Sequence, residues 1–161
     1  MAASKGRQPD EQARRIVNKK ARFNYHILER IEAGIALTGT EVKSLREGRA
    51  SLDEAYARIV DGEAWLVGCS IEPYRHAGPH NHDPVRKRKL LLHRREINRL
   101  LSRVTQKGLT LVPLSIYFNR RGLAKVELAL ARGRSAHDKR RQIKERQLRR
   151  EIERVQRRYS L

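Results

Sequence analysis

Three histidines crowd the segment Arg75-His76-Ala77-Gly78-Pro79-His80-Asn81-His82-Asp83, and a fourth, His93, follows Arg88-Lys89-Leu90-Leu91-Leu92. Imidazoles bind zinc and move protons, so a metal centre and ribonuclease-type acid–base catalysis are the chemistries on offer. Zinc wants a defined set of ligands, usually completed by a cysteine or carboxylate. The loop supplies Asp83 but no distant partner. Cleavage of RNA by His76, His93 and Lys89 fails on the same ground, because no spacing makes a general acid and a general base converge. The histidines read as polar loop residues. Cys69 is the only cysteine, so it forms neither an internal disulfide nor a cysteine-rich metal site, and it reads as a small buried apolar residue. No catalytic residue, metal or cofactor is expected, and the chain reads as a non-enzyme.

Charge carries the stronger message. The 161 residues hold 37 Lys+Arg against 18 Asp+Glu, a formal +19. Such an excess suits a polyanion, since binding phosphates releases counterions. A membrane partner would want an amphipathic stretch with large apolar anchors, and none is visible. Nothing resembles an apolar signal segment or approaches the roughly 18 apolar residues of a membrane span, so a cytoplasmic location is expected. Aromatic residues make up 5% of the chain. That is too few for successive base stacking, and it favours a folded RNA recognised by shape, phosphates and 2′-hydroxyls.

Composition divides the chain into a basic N-terminal arm at 1–22, a folded domain at 23–130 and a basic tail at 131–161. The arm holds seven Lys/Arg against two Asp/Glu, the domain 18 against 12, and the tail twelve against four. Within the domain, Ala55–Val60 and Glu63–Val67 flank Asp61-Gly62, a two-residue hairpin turn. Leu111–Phe118 and Leu123–Leu130 form a second pair. In its second strand Ala124, Val126, Leu128 and Leu130 face a core, and Lys125, Glu127 and Ala129 face water. Tyr25–Ile31 and Lys89–Leu92 are shorter strands. Thr38 and Glu41 form a capping box for a helix ending at Gly48, and Ile97, Leu100, Leu101 and Val104 stripe a second helix from about His93. About six strands with two to three short helices predict a mainly β fold, an antiparallel barrel of the oligonucleotide-binding (OB) type whose closure removes exposed edges. In the tail, Ile143, Leu148, Ile152, Val155 and Tyr159 make a loose apolar stripe. Like charges at i,i+4 repel, so ordering is expected to wait for a polyanion. A helix packed permanently on the barrel is the alternative.

The densest cationic run, Arg86-Lys87-Arg88-Lys89, leads into a strand and offers phosphate contacts. A solvated loop that keeps the protein soluble is the bland account. Asn18-Lys19-Lys20-Ala21-Arg22 sets an amide beside three cations and adds base or sugar contacts to the charge. Glu32 is a carboxylate that can accept from a base or ribose hydroxyl, or else an ordinary strand-end surface residue.

Several strings resemble the SsrA-binding protein family, also called small protein B, the partner of transfer-messenger RNA. They are Asn18-Lys19-Lys20-Ala21, Glu32-Ala33-Gly34-Ile35-Ala36-Leu37, Gly39-Thr40-Glu41-Val42-Lys43-Ser44-Leu45-Arg46, Gly62-Glu63-Ala64-Trp65-Leu66, Asp83-Pro84, Arg88-Lys89-Leu90-Leu91-Leu92, Gly133 and Asp138-Lys139-Arg140. The resemblance implies an OB barrel that grips the transfer-RNA-like domain of transfer-messenger RNA and helps deliver it to stalled ribosomes. It implies RNA contacts at Asn18, Lys19, Glu32, Leu91 and His93, where some relatives carry Asn, with Arg88 and Lys89 beside them. Lys20, Arg22, Lys43 and Arg86 complete the cationic candidates. It further implies a tail that is unstructured when free and helical near the decoding centre, with His137, Asp138, Lys139, Arg140, Lys144 and Arg146 on ribosomal RNA, and elongation factor Tu in the same complex through the RNA. Where the family reads Gly-Lys-Lys, this chain has Gly133-Arg134-Ser135. The competing expectation is a general ribosome-associated RNA-binding protein or RNA chaperone with no dedicated RNA.

Overall fold

The computed structural model describes residues 15–159. The arm expected at the extreme N-terminus therefore lies largely outside the described residues.

Among the described residues nine strands and four α-helices follow in the order β1 (Ile16–Val17), α1 (Ala21–Asn24), β2 (Tyr25–Ile35), α2 (Gly39–Arg46), β3 (Ala50–Ser51), β4 (Tyr56–Val60), β5 (Glu63–Val67), β6 (Ser70–Ile71), β7 (Arg88–Leu91), α3 (Arg94–Lys107), β8 (Thr110–Phe118), β9 (Ala124–Gly133) and α4 (Ala136–Tyr159). Seven strands form one antiparallel sheet in the order β1-β8-β4-β5-β7-β2-β9, and β9 also pairs with β8. The sheet nearly closes on itself. Its weakest seam is β4 against β8, where Ala57 opposite Leu111 is the paired position. The expectation of a mainly β chain is corrected to a mixed one, because helix and strand claim similar shares and α4 is the longest element.

Local chemistry explains the elements that position the surface. The β4–β5 hairpin turns through Asp61 (φ 50°) and Gly62 (φ 73°), the left-handed pair that a two-residue turn requires. At α2 the Thr38 N–H donates to the Glu41 carboxylate at 2.8 Å, so the box seen in the sequence forms. The His93 N–H donates to Glu96 at 3.0 Å and starts α3 in the same way. Inside the sheet, Leu66, Val126, Leu128 and Leu130 are fully buried, with Leu45 of α2, Ile71 of β6 and Leu100 of α3 in the same core.

The face expected to be wet is so at Lys125 and Glu127 but dry from Ala129 onward. Ala129 and Ala131 are fully buried beneath Ala21 of α1, with Val112, Leu114, Tyr25 and Ile27 around them. Their small side chains let a four-residue helix lie close on the outer side of the sheet, which a larger residue would hold off. Ile16–Val17 pairs with Ile116 and Ser115, so the stretch just before Asn18 is built into the sheet.

Candidate nucleic-acid interface

On the outside of β2, β7 and the start of α3 lies an open cleft of about 770 Å³, bordered by Glu32, Lys89, Leu91, His93, Arg94 and Lys125. The register brings them together from distant positions. Gly34 of β2 sits opposite both Leu91 of β7 and Lys125 of β9, and Trp65 of β5 sits opposite Lys89. Leu91 is 54% exposed, an apolar surface offered to solvent at the rim. Gly34 lies under it: a Cβ there would come 3.1 Å from the Leu91 Cβ, so glycine keeps this part of the cleft open. Lys89 reaches Glu63 at 2.8 Å, with both side chains nearly half exposed. That pairing is weak enough for a phosphate to compete with it.

Two residues expected to touch RNA, Asn18 and Arg88, are interior. Asn18 is buried, and its amide donates to the carbonyls of Leu52 (3.2 Å) and Pro113 (3.0 Å) while its oxygen accepts from the Ala21 N–H (3.2 Å). It ties the chain before α1 to β8 and to the loop after β3. Arg88 is fully buried. Its guanidinium donates to Glu41 at 2.8 Å and to the carbonyls of Cys69 (2.9 Å) and Pro84 (3.1 Å). A buried arginine must have its charge matched and its donors used. Glu41, also fully buried, supplies the match, and it accepts from Arg86 Nε and Nη2 as well, each at 2.7 Å. Burial alone would raise the Glu41 pKa, but the Arg86 and Thr38 hydrogen bonds and the two guanidinium charges outweigh it and hold it below the usual carboxylate range. Arg86 is thus half-committed to the interior. The triad clamps α2 to the start of β7 and so fixes the strand that carries Lys89 and Leu91. Beside it Cys69 is buried, and burial pushes its thiol up to about 11, which keeps it inert.

The remaining candidates divide by place. Lys19, Lys20 and Arg22 are exposed around α1, Lys20 within 3.8 Å of Glu54. The Lys43 ammonium sits over the Tyr74 ring at 5.2 Å, away from the cleft. The histidines do not converge: His82 bridges the Thr40 hydroxyl (2.8 Å) and the Ile71 carbonyl (2.9 Å), while His76 stands edge-on to Tyr74. No cluster of metal-ligating side chains exists among the described residues.

The tail forms α4, an exposed helix with no buried residue. Its root is tied to the sheet by the Arg134 N–H to Asn24 (2.9 Å) and the Arg134 guanidinium to Tyr25 (3.2 Å). Arg146 lies over the Phe23 ring at 6.0 Å. His137, Arg140 and Lys144 share one side of the helix around a shallow concavity, and Ile143, Leu148, Ile152, Val155 and Tyr159 are all exposed. Ser135 and Asp138 cap the helix start: the Ser135 hydroxyl donates to Asp138 at 2.7 Å, and the Asp138 N–H donates to Ser135 at 3.2 Å. The Ser135 hydrogen bonds lower the Asp138 pKa. Sequence reasoning missed this box, although Ser-x-x-Asp before a run of helix formers signals it. It also missed Tyr117, whose phenol donates to the Glu32 carboxylate. That partnership links β8 to β2 across β9, and no local pattern reports it.

A nearly closed antiparallel sheet with an open cleft of mixed charge, and a strongly basic helix beyond it, suits a polyanionic partner. The protein's particular kind follows from comparison. The chain matches the family model described as SmpB protein over residues 15–158. It belongs to the SmpB family. It is 57% identical over 136 residues to the SsrA-binding protein of Sulfurihydrogenibium sp. (strain YO3AOP1), covering 84% of this chain and 89% of the relative. It is 50% identical over 156 residues to the SsrA-binding protein of Chlorobaculum tepidum, covering 97% and 99%. Among solved structures, it resembles a chain from the work "tmRNA-SmpB: a journey to the center of the bacterial ribosome" with TM-score 0.65 and 58% identity, over 76% of this chain and 85% of that one.

Proposed function

We propose that this protein binds transfer-messenger RNA (SsrA RNA) and helps deliver it to stalled bacterial ribosomes in trans-translation, without catalytic chemistry of its own. The observation that carries the reading is the convergence of Glu32, Lys89, Leu91 and His93 on one cleft in a chain of this family. The cleft suits the transfer-RNA-like domain: lysines for phosphates, a carboxylate and an imidazole for base edges or 2′-hydroxyls, and an exposed leucine for a base or sugar face. The nearly closed sheet is read as an OB-type barrel presenting the cleft on its outer side. Lys19, Lys20, Arg22, Lys43 and Arg86 add charge at a distance. The tail is assigned to the ribosome, with His137, Lys139, Arg140, Lys144 and Arg146 on ribosomal RNA and Asp138 capping the helix that carries them. In that account the protein is cytoplasmic, helix α4, which buries none of its residues, is unstable in the free protein and is held helical in the messenger channel, and elongation factor Tu joins through the RNA.

Competition with bulk transfer RNA at physiological salt tests the dedicated partner. Retention of the transfer-RNA-like domain against a large excess is expected. Displacement at equal concentration, with affinity governed wholly by salt, would make the protein a general RNA binder instead.

A further inference from the structure

Glu32 stands on the rim of the cleft with one carboxylate oxygen, Oε2, taken by the Tyr117 phenol. Among the described residues Oε1 has no hydrogen-bond partner. A carboxylate on an exposed strand position would ordinarily sample several rotamers and present an averaged acceptor. Here it is tethered from two strands away, because β9 lies between β2 and β8, with Glu32 opposite Glu127 and Tyr117 opposite Lys125.

Tyr117 is itself held. The Arg15 guanidinium lies 4.7 Å from its ring centroid, and Arg15 is fixed in turn by Ser115 (3.0 Å) and Glu127 (2.7 Å). Arg30 approaches the other Glu127 oxygen at 3.2 Å. The ring therefore has a cation on its face and its hydroxyl directed at Glu32. Burial, and then the Glu32 hydrogen bond, push the phenol up to about 12, so it stays protonated and acts as donor at any physiological pH. Tyr117 does not border the cleft, and its effect on a ligand there runs through Glu32.

We infer that Tyr117, braced by Arg15, is a positioning residue for RNA recognition: it locks the Glu32 carboxylate so that Oε1 faces the cleft as a fixed acceptor for an amino or hydroxyl donor of the RNA. This rests on the proposed role of Glu32 as an RNA contact. A locked acceptor discriminates more sharply than a mobile one, because the ligand does not have to order it on binding.

A double-mutant cycle tests it, with dissociation constants for the transfer-RNA-like domain measured on the full chain for wild type, Tyr117→Phe, Glu32→Gln and the double variant. Phe keeps the ring and the Arg15 contact and removes only the hydroxyl. Tyr117→Phe is expected to weaken binding roughly five- to tenfold, a fraction of what one hydrogen bond to a charged group supplies. Its salt slope should be unchanged because no phosphate contact is lost, and it should have no further effect once Glu32 is Gln. Full affinity in Tyr117→Phe, or a loss that multiplies with that of Glu32→Gln, would overturn the inference. Full affinity in Glu32→Gln would instead remove the RNA role of Glu32 on which the inference stands. Arg15→Gln, which leaves the phenol in place but frees its ring, provides a second arm. A smaller loss that again vanishes in the Glu32→Gln background is expected, and a salt-dependent loss independent of Glu32 would make Arg15 a phosphate contact and sink the brace.

Discussion

Replacing Glu41 by Gln should be among the most damaging single substitutions in this chain, although it removes only one charge and keeps the shape. The Glu41 carboxylate accepts from Arg86 Nε and Nη2 (2.7 Å each), Arg88 Nε (2.8 Å) and the Thr38 N–H (2.8 Å). An amide offers one acceptor oxygen, and its NH2 would point at a donor wherever it turns. Arg88, with no exposed surface, would keep its charge without a counterion. Breaking a buried pair in this way costs about 3–5 kcal/mol, a large part of the roughly 5–15 kcal/mol that holds such a domain together. In urea that displaces the unfolding midpoint by about 2 M, if the slope is near 2 kcal/mol/M. The effect has a definite pH dependence. The folded-state pKa of Glu41 lies below its unfolded value, so its contribution is complete above the unfolded carboxylate value of about 4.3 and is lost as pH falls through the folded one. The gap between wild type and Glu41→Gln should therefore be full above the unfolded carboxylate value and shrink progressively as pH falls from there toward the lower folded-state value. Equilibrium denaturation followed by circular dichroism across this range is the assay. A loss under about 1 kcal/mol at pH 7, or a gap that widens on acidification, would refute the buried triad as the clamp between α2 and β7.

Asn18→Ala should lower stability by about 2–4 kcal/mol, since it strands two buried carbonyls, and it should leave the RNA affinity of the folded fraction within about twofold. Thermal melts and filter binding read the two effects separately, and a tight fold with lost affinity would place Asn18 on the RNA after all. Lys89→Gln should show the opposite profile. Its ion pair with Glu63 is exposed, so stability should move by less than about 1 kcal/mol, while RNA binding weakens and the slope of log affinity against log salt becomes shallower by about one. An unchanged slope would take Lys89 off the phosphate backbone.

Those predictions separate residues that the sequence presents as alike. Arg86, Lys87, Arg88 and Lys89 read as one basic run offering phosphate contacts, yet Arg88 is interior and Arg86 is tied to Glu41, 45 positions away. Strand alternation turns every second residue inward, but nothing local announces that a carboxylate waits to receive an arginine there. The capping box at Thr38 was legible and accounts for one of the four hydrogen bonds that Glu41 accepts. Elements written in short-range chemistry were readable: the Asp61-Gly62 hairpin, the α3 stripe at Ile97, Leu100 and Val104, though Leu101 stays exposed, and the alternation of Val126, Leu128 and Leu130. Those that depend on distant packing were not. Ala129 and Ala131 are dry because α1 covers them, β3 and β6 are two-residue strands with no pattern to detect, and Tyr117 meets Glu32 only through the order of β2, β9 and β8. The resemblance to a family placed Glu32, Leu91 and His93 in one functional set. The fold puts them on one cleft, and it withdraws Asn18 and Arg88 into the scaffold beneath.

If the sheet grips the RNA and the tail engages the ribosome, a truncation separates the two activities. The cut belongs after Ser135, because Arg132 and Gly133 pair with His26 and Tyr25 in β2 and Arg134 ties the strand end to α1 and β2. The chain ending at Ser135 should bind the transfer-RNA-like domain within about threefold of the full protein at physiological salt, the residual loss reflecting nonspecific charge. It should also fail to support peptide tagging on stalled ribosomes even when the RNA is saturated. Tagging that persists at saturating RNA, or RNA affinity that collapses with the tail, would contradict this division between sheet and tail.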